Sequence, residues 1–179
     1  MHFELQNSIA LLARTPATLS ALLRDLPDIF VLRNEGGESM TPHDVIAHLI
    51  DAERTNWIPR ARVILEHGDT QPFPSFDRFA YINASKDKPA GYLLDEFADA
   101  RQQSLDALRS MKLSPHDLAR RGLHPALGPV TLSELLSAWT AHDLTHLHQI
   151  SRILAHQYRE AVGPFVRFIG VLQCDAHGA

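Results

Sequence analysis

The strongest constraint on the fold of this chain is a pair of helix-start signals, Thr41-Pro42-His43-Asp44 and Thr131-Leu132-Ser133-Glu134. In each signal a threonine precedes an acidic residue by three positions, which is typical of the N-cap and third position of a helix. A long segment with apolar residues at helical spacing follows each signal, over 41–67 and 132–158. No segment alternates with period two for long enough to predict a strand. The sequence therefore predicts an all-α protein.

The remaining segments predict a four-helix bundle. A broken N-terminal helix is indicated at Thr15-Pro16, with Thr15 as N-cap and Pro16 in the first position, where its missing N–H costs nothing. Pro59 predicts a kink, because it removes a backbone hydrogen bond. Three long helices and a broken first helix fit a bundle with long connections and a short C-terminal helix. The predicted helices are 3–13, 15–25, 41–67, 91–111, 132–158 and 165–172, with long loops over 28–40 and 69–90, and 1–179 is predicted to be one domain.

The composition argues against several classes of protein. Seventeen Lys and Arg stand against 21 Asp and Glu, so the net charge of −4 gives no basic field for nucleic acid. The single cysteine, Cys174, excludes an intramolecular disulfide framework and a multi-cysteine zinc site. The N-terminus lacks the cationic region of a signal peptide, and no apolar stretch has the length of a membrane span. We therefore expect a cytoplasmic protein that binds neither nucleic acid nor membrane.

Two of the eleven histidines, His142 and His146, occupy the apolar stripe of the last long helix. Steps of three and four residues from Trp139 reach both histidines and then Ile150. Residues at this spacing share one face of a helix, so the two imidazoles lie one turn apart and can converge on one ion.

A third histidine, His48, lies on the inward stripe of the 41–67 helix, between Val45 and Ala52. Three imidazoles in one bundle interior need partners, because unpaired buried polar groups are costly. A divalent metal held by three neutral histidine nitrogens would satisfy them together and keep a position open for water or substrate. Spacing alone leaves another interpretation open, in which His48 is a hydrogen-bonded core histidine and the i,i+4 pair arises from the histidine-rich composition.

The segment from His142 to His146, H-D-L-T-H, also invites comparison with the H-E-x-x-H motif of zinc proteases. Here Asp143 replaces the glutamate that acts as general base in those enzymes, and its side chain is shorter. Such a protease would need a third ligand downstream, for which His156 and Glu160 are the near candidates. The substitution disfavours this alternative.

Segments 45–54 (VIAHLIDAER) and 142–150 (HDLTHLHQI) carry a resemblance to a known family. The arrangement resembles the DinB-like superfamily of bacterial four-helix-bundle proteins, which includes the YfiT-like metal-dependent hydrolases, and the resemblance covers nearly the whole chain. It implies a divalent metal, commonly zinc or nickel, held by residues matching His48, His142 and His146. It also implies a homodimer, and it places Gln149 in the cleft or in support of the ligands.

Three functions stay open for such a site. An ion held by three neutral imidazoles keeps its double positive charge, so it can activate water for hydrolysis, which is the leading prediction, or bind a low-molecular-weight thiol for S-transfer or isomerisation. The third function is a non-catalytic binding or stress-response module with a structural metal. The first two imply a small-molecule substrate. The acids Asp51, Glu53 and Asp143 are near the histidines in sequence, but none can be assigned as general base. The aromatic-rich segment 73–81 is a candidate cap for an apolar pocket.

Overall fold

The computed structural model of the protein describes residues 3–74 and 80–174. Helices dominate the described chain, and one short hairpin interrupts them. The elements are α1 (Leu5–Leu12), α2 (Thr15–Leu23), α3 (Asp28–Val31), α4 (Pro42–Thr55), α5 (Trp57–His67), α6 (Ala80–Ser85), α7 (Ala90–Ser110), α8 (Pro115–Leu118), β1 (Arg121–His124), β2 (Gly128–Thr131) and α9 (Leu132–His156), followed by 3-10 helices at Gly163–Phe168 and Gly170–Leu172.

The bundle has four members, which are α1 with α2, α4 with α5, α7, and α9. Both α2 and α4 pack on α7, and α1, α4 and α5 pack on α9. The predicted all-α four-helix bundle is therefore confirmed. Both long helices start at the predicted capping boxes, where Thr41 and Thr131 accept from the amides of Asp44 and Glu134. In the described part of the chain, no helix is both long enough and apolar enough to span a bilayer.

Two separate apolar clusters fill the interior, and their order along each helix fixes the directions of the helices. One cluster contains Trp139 near the start of α9, and the other contains Ile150 and Ile153 further along that helix. Along α7 the order is reversed, because Phe97 belongs to the second cluster and Leu105 to the first. The two clusters follow one another in the same order along α4 as along α7. Hence α4 and α7 run in the same direction, opposite to α9.

A layer of polar side chains lies between the two clusters. On α7, Arg101 stands between Phe97 and Leu105, and on α9, Asp143 stands between Trp139 and Ile150. Every member of the bundle contributes to this layer, although a bundle interior is usually apolar. We call it the polar layer; its residues are Thr15, Glu53, Arg101 and Asp143.

The kink predicted from Pro59 is present as a break between two helices. Helix α4 ends at Thr55 and α5 begins at Trp57, with Asn56 between them at φ −107° and ψ −69°. Proline has no N–H to donate to the carbonyl of Thr55, so the helical ladder is interrupted one turn before it.

The hairpin of β1 and β2 was not predicted. Its strands have four residues each, too short to produce a period-two pattern, and they pair antiparallel with Gly122 opposite Val130. Close packing fixes the position of Gly122, since a Cβ there would lie 2.6 Å from Ile64 Cγ1 and 2.8 Å from Phe73 Cε1. Tertiary contacts, rather than local propensity, therefore stabilise these strands.

Three further local predictions were wrong. Thr15 is not an N-cap, because α2 already includes it and its side chain is used in the polar layer. The predicted loop over 69–90 contains α6, and the predicted loop over 28–40 begins with α3. The closing helix predicted over 165–172 is present as the two 3-10 helices, the first of which begins at Gly163.

Candidate metal centre

The three predicted histidines meet between α4 and α9. His142 Nε2 lies 3.1 Å from His48 Nε2 and 3.1 Å from His146 Nε2. One ring nitrogen from each residue lies within 4.8 Å of the other two, and all three side chains are half-buried. Capping and periodicity produce this arrangement, since they turn the stripes that carry the histidines toward each other.

Hydrogen bonding alone does not satisfy this cluster. A neutral imidazole nitrogen has a single in-plane site, which is either an N–H or a lone pair. His142 Nε2 therefore cannot make two good hydrogen bonds, although His48 and His146 both approach it. An ion that accepts one lone pair from each ring would satisfy all three nitrogens.

The spacing of the nitrogens fits a divalent transition metal. Two nitrogens bound at about 2.0–2.1 Å to one ion, at angles of roughly 90–110°, stand about 2.9–3.4 Å apart. The two measured separations of 3.1 Å lie within that range. Imidazole donors suit zinc, copper, iron and nickel, and three of them leave at least one coordination position for another molecule.

Gln149 sets the tautomer of one candidate ligand. His146 Nδ1 lies 2.7 Å from Gln149 Oε1, one turn further along α9. Because a carbonyl oxygen only accepts, His146 carries its proton on Nδ1 and directs the Nε2 lone pair at the other rings. The family resemblance implied that Gln149 lies either in the cleft or in support of the ligands, and its oxygen contacts the candidate ligand His146.

Burial keeps two of the imidazoles neutral. It lowers the pKa of His142 to about 2, and positive charge on His146, His48 or Arg101 acts in the same direction. Burial also lowers the pKa of His146, opposed by the Gln149 hydrogen bond and the Asp143 carboxylate. Neutral imidazole is the form that binds metals, so these two side chains are ready for an ion at pH 7.

Aromatic rings border the three imidazoles. The His48 ring lies edge-on to Tyr81, with centroids 5.4 Å apart, and the His142 ring lies edge-on to Trp57 at 5.1 Å. Trp57 in turn stacks on Trp139. Of the aromatic segment proposed as a cap, Tyr81 is beside the site, whereas Phe73 packs in the core below the hairpin. The other two aromatic residues of that segment, Phe76 and Phe79, lie outside the described residues.

An ionic network in the polar layer lies directly beside His142. Arg101 donates to both carboxylate oxygens of Asp143, at 2.5 and 2.9 Å, and to Glu53 Oε1 at 2.8 Å. Trp139 Nε1 donates to the same Glu53 oxygen at 2.9 Å, and Thr15 Oγ1 donates to Asp143 Oδ2. Arg101 also donates to the carbonyl oxygen of Leu12 at 2.8 Å. We call these contacts the Arg101 network.

Two of the acids considered as candidate bases are therefore engaged elsewhere. Glu53 and Asp143 are both ion-paired to Arg101, whose pKa is raised by these carboxylates against the lowering effect of burial. The third acid, Asp51, lines a small cavity with Tyr81 and Arg54. Sequence reasoning missed Arg101, although a charged residue on the apolar stripe between Phe97 and Leu105 was a usable signal.

Several other histidines have structural roles or lie away from the three imidazoles. Among the described residues, the cluster of possible metal ligands contains neither His156 nor Glu160, so the zinc-protease arrangement does not form. His43 Nε2 donates to the carbonyl of Lys88 at 2.8 Å. His124 Nδ1 accepts from two amides of the hairpin turn, and burial lowers the pKa of this imidazole.

Comparison with known proteins agrees with the fold. Residues 11–150 match the sequence model of the DinB superfamily. Among solved structures, the chain is similar to YfiT from Bacillus subtilis, described as a probable metal-dependent hydrolase with an unusual four-helix bundle topology. The TM-score is 0.72 at 20% sequence identity, over 89% of this chain and 87% of that chain. None of the curated proteins compared with the chain matches it. Since the family match spans most of the sequence, the chain belongs to the DinB superfamily.

Proposed function

We propose that this protein is a metal-dependent hydrolase in which His48, His142 and His146 hold one zinc or nickel ion. The observation that carries the proposal is the position of His142 Nε2, 3.1 Å from a nitrogen of each of the other two rings. Hydrogen bonds cannot satisfy that nitrogen toward both neighbours, whereas a shared ion can. The description of YfiT as a probable metal-dependent hydrolase supports the same assignment.

The chain supplies a neutral and oriented set of donors. Burial keeps His142 and His146 neutral, and Gln149 Oε1 holds the single ring proton of His146 on Nδ1. A divalent ion held by three neutral imidazoles acts as a Lewis acid and lowers the pKa of a coordinated water. With three protein ligands, an ion bound here would keep at least one coordination position for water or a small-molecule substrate.

Metal analysis of single variants tests the ligand set. Purified protein is expected to hold about one divalent ion per chain. His48→Ala, His142→Ala and His146→Ala should each lose most of that metal, because two imidazoles bind an ion far more weakly than three. His156→Ala is the matched control and should keep it. Retention of full metal content by His48→Ala, together with its loss from His156→Ala, would refute the proposed ligand set.

Substrate screens test the reaction. The zinc- and nickel-loaded proteins would be assayed against ester, amide and phosphoester libraries, with and without low-molecular-weight thiols. Turnover that depends on the metal, needs no thiol and is lost in His142→Ala supports a hydrolase. Turnover only in the presence of a thiol would favour S-transfer or isomerisation instead, and a metal-loaded protein inactive in every screen would favour a binding module.

We also propose that the protein is a cytoplasmic homodimer. Support comes from the family resemblance and from large exposed apolar side chains in the first 3-10 helix, since Phe165 and Phe168 are 68% and 86% exposed. Light scattering at micromolar concentration should give about twice the chain mass of 20.0 kDa. A mass near that of one chain would reject the dimer, and fractionation of expressing cells tests the location.

A further inference from the structure

The Arg101 network joins all four members of the bundle at the level of the candidate metal centre. Arg101 comes from α7, Glu53 from α4, and Asp143 and Trp139 from α9. The first member contributes Thr15 and the carbonyl of Leu12. The side chains of Arg101, Glu53 and Asp143 are each no more than 3% exposed.

We infer that the Arg101 network positions His48 against His142 and His146 by fixing how α4 lies along α9. This inference rests on the proposed function only in taking the three imidazoles as metal ligands. Arg101, Glu53 and Asp143 are positioning residues, since none of them offers an atom to the cluster of three ring nitrogens.

The contacts of the network are placed where they control the register of the two helices. Glu53 follows His48 by five residues on α4, while Trp139 precedes His142 by three residues on α9. The bond from Trp139 Nε1 to Glu53 Oε1 therefore ties the two antiparallel helices about one turn from the imidazoles. A slip of one residue along a helix is a shift of about 1.5 Å. Such a slip would break this bond and, at the same time, move His142 away from His48.

Directional contacts specify the register of α4 and α9 better than apolar packing does. Apolar side chains tolerate small shifts, whereas the planar fork of Arg101 matches the two oxygens of Asp143 in one geometry. Polar groups in a helical interface can specify register at a cost in stability. The network therefore favours one alignment of α4 and α9 over alignments shifted by one residue.

Stability alone does not account for the network. Taking three charges out of water is costly, and replacing a buried ionic triad with apolar residues is often neutral or stabilising. Part of the cost is not recovered from protein contacts, since Glu53 Oε2 and Arg101 Nε have no hydrogen-bond partner among the described residues.

A charge-free triple variant tests the inference. Glu53→Gln, Arg101→Met and Asp143→Leu together remove the ion pairs but keep the approximate volumes and an acceptor for Trp139. The matched control is Glu35→Gln with Arg152→Met, which removes another largely buried ion pair, one whose guanidinium and carboxylate meet at 2.7 Å. Arg101→Lys serves as a second test variant that keeps the charge and loses the fork. Circular dichroism and thermal unfolding identify the folded variants.

Three measurements are made on the wild type and the folded variants. Chelator competition gives the zinc affinity, the visible spectrum of the cobalt-substituted protein reports ligand geometry, and NOEs between the ring protons of His48 and His142 report the spacing in the metal-free protein. We expect the triple variant to bind zinc at least tenfold more weakly, with a changed cobalt spectrum and lost NOEs. Arg101→Lys should show a smaller change of the same kind, and the control should match the wild type.

The outcomes distinguish the positioning role of the Arg101 network from the proposed function of the three histidines. Unchanged NOEs and zinc affinity within twofold of wild type in a folded triple variant, or in Arg101→Lys, would overturn the positioning role. An equal loss in the Glu35 and Arg152 control would also overturn it, since any buried ion pair would then suffice. If the wild type binds no zinc, yet the NOEs vanish only in the network variants, the proposed function fails and the positioning role stands.

Discussion

Gln149 accepts a hydrogen bond from His146 Nδ1 over 2.7 Å, and this bond decides which nitrogen of His146 faces the other two imidazoles. With the proton held on Nδ1, the lone pair of Nε2 is directed at His142 Nε2, 3.1 Å away. The glutamine lies one turn beyond the histidine on α9, so the helix itself sets the spacing of the pair.

Replacing Gln149 with leucine should weaken metal binding by about 10–100-fold, because the His146 ring then loses the partner that fixes its tautomer and orientation. Chelator competition with zinc measures this change. Gln102→Leu is the control, since Gln102 donates to Asp106 on the exposed face of α7. Equal zinc affinities for Gln149→Leu and wild type would contradict the role assigned to this residue.

Metal removal should lower the thermal stability of the protein. A ligand present at about 100 times its Kd stabilises the folded state by about 2.7 kcal/mol, which raises Tm by about 5–10 °C for a chain of this size. Scanning calorimetry with and without excess zinc measures the difference. The shift should vanish in His142→Ala and persist in His124→Ala, because His124 caps the hairpin turn away from the centre. A shift that survives in His142→Ala would place the zinc elsewhere.

The features that the sequence predicted correctly depend on local spacing. The capping boxes at Thr41 and Thr131 involve residues three positions apart, and the stripe containing His142 and His146 follows from the helical repeat. His48 could be placed on an inward face for the same reason. Its approach to His142 follows once the two stripes face each other in a bundle.

The features that the sequence did not predict depend on partners far away along the chain. Arg101 finds Glu53 and Asp143 across 48 and 42 residues, and Thr15 finds Asp143 across 128. Thr15 has the local pattern of an N-cap, but the buried carboxylate of Asp143 takes its hydroxyl. Local propensity carries no information about such competition.

The pH dependence of the metal-free protein should report the burial of His142. Its folded-state pKa is about 2, below the ordinary value of 6.5, so the unfolded chain binds more protons than the folded chain below pH 6.5. The stability associated with neutral His142 is therefore fully present above pH 6.5 and is lost as the pH falls toward 2. The free energy of unfolding should fall by up to about 1.4 kcal/mol per pH unit from this group.

Urea unfolding in the presence of a chelator, at several pH values between 7.5 and 4.5, measures this slope. His142→Leu should give a shallower slope than wild type, because it removes one group that gains a proton on unfolding. His156→Leu, at the last residue of α9, is the control and should keep the slope of wild type. Identical slopes for His142→Leu and wild type would show that His142 is protonated as readily in the folded protein as in the unfolded one.

A side chain at Gly122 should destabilise the protein. A Cβ at this position would lie 2.6 Å from Ile64 Cγ1 and 2.8 Å from Phe73 Cε1, both of which belong to buried core residues. Gly122→Ala should therefore destabilise the protein by about 1–3 kcal/mol through overpacking, measured as a lower urea midpoint at an unchanged slope. Gly170→Ala is the matched control, since a Cβ there meets nothing within 4 Å, and it should stay within about 0.5 kcal/mol of wild type. Because the hairpin lies away from the three imidazoles, Gly122→Ala should still bind about one zinc ion per chain while it remains folded. A Gly122→Ala protein as stable as wild type would mean that α5 and the hairpin are not packed as closely as these contacts require.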